Sequence, residues 1–312
     1  MRPKNRMKII HGIEYALVRI LSFLFQRLPR KTAINLGDRI GRAMDNLWLS
    51  RHKTVISNLE IAFGNELTIA DKEELSKNIF GNIGMTMAEI ARFPVTDTDE
   101  IKRIVSSKGE ETFQEAIDYG KGALLVGSHF GNWELMGAYI NALGFPVDFL
   151  IRGQHNKLVD KYLASLRRSM GVRVIHSDKS GGMMEIIRAL KQNRQVAIIS
   201  DQHAGSQGII INFFGRLVSV PRAPAVLSIR TGAPIITGQI LRNPDNTHFC
   251  EFDKPLYPNL DADRDKEILR LTKIYTGRIE NAIRRQPELW LWTHRRFKYV
   301  PKEQDSEGKL VE

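Results

Sequence analysis

From about Gly122 onward, short apolar runs alternate with stretches of helical spacing, and this alternation most narrows what the chain folds into. "ALLVGS" precedes a helical pattern from about Asn132 to Leu143, stopped by Gly144. "PVDFLIR" precedes "KLVDKYLASLRRSMG", and "VRVIHS" precedes "GGMMEIIRALKQN". "QVAIIS" is followed by a glycine-rich loop and the helical "APAVLSIRTG". "PIITGQIL" and "THFCEF" then precede a long final helix, "DKEILRLTKIYTGRIENAIRRQ". Fully apolar strands alternating with helices imply βαβ units, hence an α/β fold with a largely parallel central sheet covered on both faces. Up to about residue 115 the pattern reads as mostly helical, with three-to-four spacing in "TAINLGDRIGRAMDNLW" and "DKEELSKNIFGNIGMTMAEIARF".

The first thirty residues differ in kind. "MRPKNRMK" carries Arg2, Lys4, Arg6 and Lys8 without an acid, and Ile10, Ile13, Leu17, Ile20, Leu21, Leu24 and Leu28 then recur at helical spacing. A spanning helix needs about 20 mostly apolar residues, whereas Glu14 and Arg19 interrupt this run, and no cleavage site for a signal peptide is evident. The expectation is a basic amphipathic helix lying in a membrane interface, with an ordinary packing helix as the alternative. The net charge of +11 points the same way, toward anionic partners: nucleic acid, an anionic membrane or a phosphorylated substrate. A single cysteine, Cys250, excludes a disulfide framework and a cysteine-rich zinc site. The expected organisation is a membrane-associating helix over 1–30, a helical subregion over 31–115, an α/β core over 116–300 and a disordered tail over 301–312.

At the end of "ALLVGS", "SHFGNWE" places His129 just past the carboxyl end of a buried strand, the edge where open α/β sheets bind ligands. Asn132 fits a helix N-cap, which puts Glu134 in the first turn. Residues five apart on one helix lie about 140° apart, so His129 and Glu134 meet only if His129 folds back from the loop. Glu134 would then accept a hydrogen bond from one imidazole nitrogen and leave the other as a base. The residues alone leave two readings open: a catalytic pair, or a loop histidine beside a glutamate that serves the helix dipole.

"HFGNWE" has the HX4E form of glycerolipid-type acyltransferases and most resembles the lipid A late acyltransferases, the lauroyl/myristoyl group of the bacterial envelope. "IRGQHNKLVDKYLASLR", "SDQHAGSQGIIINFFGRLVSVPRAPAVLSIRTGAPI" and "PELWLWTHRRFKY" resemble further blocks of that family in the same order. "NLEIAFGNELT" resembles an N-terminal feature, except that Gly64 stands where a proline is common. The resemblance implies a glycerolipid acyltransferase-like fold and transfer of an acyl chain from an acyl carrier protein thioester to a hydroxyl of a lipid A precursor. It implies His129 as general base oriented by Glu134, with no cofactor. Arg152, at the end of the next strand, becomes the candidate for the oxyanion or an acceptor phosphate. Asp201 and Gln202 would shape the site from a neighbouring strand.

Arg216 and Arg222 are candidates for phosphate, and Phe213-Phe214 for an acyl pocket or plain core. In "WLWTHRRFKY", Trp290, Trp292, Phe297 and Tyr299 alternate with basic residues as at headgroup depth, and Arg295 and Arg296 are the best candidates for anion contact. Nucleic-acid binding would use the same ingredients, and the N-terminal helix and the HX4E block favour lipid over nucleic acid. The resemblance implies an anionic glycolipid acceptor, a membrane surface as partner, and the cytoplasmic face of a bacterial inner membrane. The alternatives are a lysophospholipid or other glycolipid acceptor, coenzyme A as donor, and a non-catalytic membrane or nucleic-acid binding module. A metallohydrolase using His129, Glu134, Asp201 and His203 is more remote, because no zincin spacing is present.

Overall fold

The computed structural model describes residues 3–178 and 181–298; the tail expected over 301–312 and Tyr299 lie outside them. Five helices come first: α1 (Pro3–Arg27), α2 (Arg30–Leu47), α3 (Leu49–Phe63), α4 (Ile69–Arg92) and α5 (Thr98–Ile104). The α/β part follows as β1 (Val105–Lys108), α6 (Glu111–Tyr119), β2 (Ala123–Gly127), α7 (Trp133–Ala142), β3 (Val147–Ile151), α8 (Lys157–Ser169), β4 (Arg173–His176), α9 (Gly182–Lys191) and β5 (Gln195–Ile199). The chain then forms β6 (Ile209–Phe213), β7 (Arg216–Val220), α10 (Ala223–Thr231), β8 (Ile235–Arg242), β9 (His248–Phe252) and α11 (Arg264–Arg285).

Seven strands form one sheet in the order β1-β9-β8-β2-β5-β3-β4. Every pairing in it is parallel except β8 with β9. The fold is therefore α/β with a mostly parallel sheet flanked by helices. Strand β2 is buried along its whole length, as its unbroken apolar run requires. Its side chains alternate between two cores: Leu124 and Val126 face one, with Ile186, Leu227 and Ile283, while Ala123 and Leu125 face the other, with Leu135, Ile140 and Phe149. Burying one such leucine contributes about 1.5–3 kcal/mol.

Two strand elements depart from the sequence reading. β1 interrupts the N-terminal stretch expected to be helical; its four residues, "VSSK", are too short and polar to show a strand period, and their parallel pairing with β9 makes the strand. "IIINFFGRLVSV" forms an antiparallel hairpin apart from the main sheet, turning at Phe214 and Gly215, both with positive φ. The N-terminal helices pack closely: α2 crosses α4 with Gly37 against Gly84, where a Cβ on Gly84 would lie 2.0 Å from the Gly37 carbonyl oxygen.

Helix α1 is the one described helix long and apolar enough to cross a membrane, judged by length and composition. Its polarity is inverted relative to a helix of a soluble domain. Apart from Phe25, which is buried against Ala33 and Ala88, the side that meets the body is polar: the His11 carbonyl and Glu14 accept from Asn156 Nδ2, Arg19 stacks over Tyr162, and Ser22 and Gln26 reach the Ala91 carbonyl. Ile9, Ile10, Ile13, Leu17, Ile20, Leu21 and Leu24 point outward and are exposed.

Candidate active site

The sheet register builds the centre. β2 and β5 are neighbours with Gly127 opposite Ile199, so the residues that follow, Ser128-His129 and Ser200-Asp201, emerge side by side at the carboxyl edge. Asp201 receives the His129 backbone N–H on Oδ2 (2.8 Å) and the His129 ring Nδ1–H on Oδ1 (2.8 Å). Trp290 Nε1–H donates a third bond to Asp201 Oδ2 (2.7 Å). Burial alone would raise the Asp201 carboxyl pKa, but the charge and hydrogen bond of His129, with Trp290 helping, hold it below its ordinary value. The carboxylate is ionised, so Nδ1 is the donor and Nε2 of the neutral ring carries the lone pair. Burial would likewise lower the His129 pKa; Asp201, and more weakly the charge of Glu134, leave it raised.

The loop is held in one shape. Gly131 sits at φ +57°, and a Cβ there would meet the Ile240 carbonyl oxygen at 2.1 Å, so only glycine fits. Gly131 N–H donates to the Leu289 carbonyl, and Leu291 N–H donates to the His129 carbonyl, stitching the C-terminal segment to the loop. Asn132 caps α7 by accepting the Leu135 N–H (3.0 Å), and its Nδ2 donates to Glu89 Oε2 (2.9 Å). Glu89, on α4 and 6% exposed, also takes Arg242 bidentately, Arg30, and the Nε2–H of His248.

The hydrogen bond expected between His129 and Glu134 is not the one formed. The ring is bonded by Asp201, while the Glu134 carboxylate is gripped in a fork by Arg167 of α8, with Nε to Oε2 at 2.8 Å. First-turn helical geometry directs Glu134 toward α8, and its effect on His129 is through charge. The sequence does not single out Arg167, and it assigns Trp290 to headgroup depth rather than to this site. Arg167 follows Leu163 by four and Ala164 by three residues, so a basic residue on the apolar stripe of α8 was the available signal.

His129, Glu134, Arg152, Arg167 and Gln202 line one cavity of 490 Å³, whose interior is apolar at Leu125, Met136 and Phe149. On the other side of His129 and Trp133 lies a smaller cavity of 220 Å³ lined by Ile83, Met87, Leu289 and Leu291 among others. Arg216 stands exposed at the start of β7 and is in neither lining, and Arg222 lines a third cavity beside Arg264. Arg295 lines a separate groove with Lys53 and Lys298.

Arg296 is corrected by its burial. Only 1% exposed, it donates Nη1–H to the Ser219 carbonyl and stacks on Phe213, and burial lowers its pKa to about 10. It cannot reach a phosphate outside. The aromatics expected at headgroup depth are also core: Trp290 is 3%, Trp292 0% and Phe297 6% exposed. They pack with Phe213 and Phe214, which are core as well. Cys250 is fully buried, and burial pushes its thiol pKa far up. Among the described residues no three His, Cys, Asp or Glu side chains are grouped to hold a metal, so His129, Glu134, Asp201 and His203 do not form one ligand set.

Comparison with known proteins identifies the family. The chain is 27% identical over 282 residues to the lipid A biosynthesis palmitoleoyltransferase of Escherichia coli K12, covering 89% of each chain. It is 26% identical over 286 residues to the lauroyltransferase of the same organism, again covering 89% of each. To the phosphatidylinositol mannoside acyltransferase of Mycolicibacterium smegmatis it is 23% identical over 206 residues, 65% of each chain. The model of the bacterial lipid A biosynthesis acyltransferase family matches residues 2–299, so the chain belongs to that family of acyltransferases.

Proposed function

We propose that the protein transfers a fatty acyl chain from an acyl carrier protein thioester to a hydroxyl of a lipid A precursor, with His129 as the base. The observation that carries the reading is the His129–Asp201 pair: Nδ1 is tied to a buried carboxylate while the ring lines both cavities. In this mechanism Nε2 takes the acceptor hydroxyl proton as the oxygen attacks the thioester carbonyl, and Asp201 stabilises the imidazolium. Collapse of the tetrahedral intermediate breaks the C–S bond, and the proton passes from Nε2 to the departing thiolate. Arg152 is the cation assigned to the oxyanion or an acceptor phosphate, supported by its place in the cavity lining. Glu134 keeps the Arg167 guanidinium against the same cavity, and Gln202 adds a polar group at its edge.

The enzyme works at the cytoplasmic face of the inner membrane, held by α1. Polar contacts tie α1 to the body from His11 to Gln26, about 24 Å of helix at 1.5 Å per residue. This favours a helix lying along the membrane surface over one that crosses away from the body. Its outward apolar face supports burial in the acyl-chain boundary.

The test is acyl transfer by the purified protein from an acyl carrier thioester to a lipid A precursor, read by mass spectrometry. Product with the wild type and its loss in His129→Ala is the expected result; undiminished transfer by the variant overturns it. The likeness to a phosphatidylinositol mannoside acyltransferase favours a second reading, another glycolipid acceptor. Transfer to such an acceptor and none to the lipid A precursor would select it. Parallel assays with acyl coenzyme A identify the donor.

A further inference from the structure

The junction of α2 and α3, which lines none of the cavities around His129, exposes Leu47 (72%), Trp48 (52%) and Leu49 (62%) in sequence, with Met44 on the preceding turn 37% exposed. Single exposed apolar side chains are ordinary; three consecutive ones on the corner between two helices are not explained by packing. Arg51 lies over the Trp48 ring at 5.4 Å and also donates to the Thr293 carbonyl, tying the corner to the C-terminal segment. Immediately beside the corner runs the 400 Å³ groove whose charged lining is Lys53, Arg295 and Lys298, with no carboxylate. Of the carboxylates on the adjoining helices, Asp45 and Glu73 are held by His52, Glu60 by Lys72 and Glu74 by Lys77 and Arg42.

We propose that the Leu47–Trp48–Leu49 corner, with Lys53, Arg295 and Lys298 beside it, is a second membrane-contact site that inserts into an anionic phospholipid surface. The proposal rests on this surface alone, not on the acyl-transfer reading. An apolar wedge centred on a tryptophan and bordered by cations matches the layering of an interface, where acyl chains, headgroup carbonyls and phosphates succeed one another. The projecting corner suits a deformable bilayer better than a protein partner, which would need a complementary hollow. α1 ends at Arg27 and α2 runs 18 residues from Arg30 to Leu47, so the two contacts are separated by about 27 Å of helix. Two spaced contacts fix how the body is rolled about α1, which one contact leaves free.

The experiment uses the full chain reconstituted into phosphatidylethanolamine/phosphatidylglycerol vesicles that contain acyl-chain-brominated lipid. The chain has four tryptophans, and the Trp48 signal is the difference between wild type and Trp48→Phe. Quenching of more than half of that difference is expected, falling at least twofold in a Lys53→Glu/Arg295→Glu/Lys298→Glu variant. A Leu47→Glu/Leu49→Glu variant with an unchanged melting temperature should lose the quenching as well. A Trp48 signal untouched by brominated lipid overturns the proposal. So does one that responds only to an acidic carrier protein, or appears only when the chain is cut after Lys298, since the occupant is then a protein or the chain's own tail.

Discussion

Two of the histidine–carboxylate pairs among the described residues, His129 with Asp201 and His248 with Glu89, do opposite things. They have similar lengths, 2.8 and 2.9 Å, and both carboxylates are buried. Asp201 accepts hydrogen bonds from one imidazole and two further N–H donors, and the His129 side chain keeps 22% of its surface exposed. Glu89 is surrounded by two arginines, an asparagine and a histidine with 0% side-chain exposure. A base needs a nitrogen that substrate can reach and a carboxylate whose charge is not already spent on arginine. The first pair meets both conditions and the second meets neither. The difference lies in what else touches the carboxylate.

The largest effect should come from removing the reachable ring. His129→Ala should lower the acyl-transfer rate by about 10³- to 10⁴-fold, with a melting temperature close to wild type. The matching change at the sealed pair should reverse the pattern. Glu89→Gln leaves Arg242, 6% exposed, with an uncompensated buried charge and should cost about 3–5 kcal/mol of stability, while the rate per folded molecule stays near wild type. A rate loss without destabilisation would break the comparison. Burial works against the Glu89 charge, but His248 and Arg242 hold its pKa far below the ordinary 4.5. This contribution is therefore complete above that value and is lost as pH falls toward the folded one; acid melting curves of Glu89→Gln should be flatter than those of the wild type.

Asp201→Asn sharpens the comparison. Rate should drop about 10²-fold as the ring loses its anchor. The active form needs an unprotonated ring, so activity falls as pH drops through the His129 pKa. Removing the larger of the two charges that raise it leaves burial, which lowers it, opposed only by the weaker charge of Glu134, so the acid limb of the pH–rate profile should move to lower pH. An unmoved limb would mean that Asp201 does not set the base. The smallest effect is expected of Trp290→Phe, which removes one donor to Asp201; about 1.5 kcal/mol corresponds to roughly a tenfold loss of rate.

Much of this was legible in the residues. The six apolar runs from "ALLVGS" to "THFCEF" became β2, β3, β4, β5, β8 and β9, because a strand buried on both faces leaves an unbroken apolar signature. β1 did not, since "VSSK" owes its strand state to β9 across 142 residues. Position was readable at the site: His129 at a strand end, Asn132 at the helix start, Arg152 at the next strand end. Partnership was not. The bond from His129 to Asp201 spans 72 residues, and only the strand order puts β5 beside β2. With that order unknown, the nearby Glu134 was the natural choice, and a first-turn carboxylate is equally served by Arg167 from outside the motif. The "WLWTHRRFKY" segment misled for a related reason: alternating aromatic and basic residues suit a membrane interface as well as a core strap, and contacts with Phe213 and Ser219 decide for the core.

The Trp290 hydrogen bond bears on how the site is closed along the chain. The donor to Asp201, Trp290, and the residues bonded to the His129 loop, Leu289 and Leu291, come only after α11, although the loop and Asp201 lie far before it. On the proposed mechanism, a variant cut after α11 should keep every strand of the main sheet and still lose acyl transfer. Strands bring the two partners together, and the segment beyond the last helix locks them.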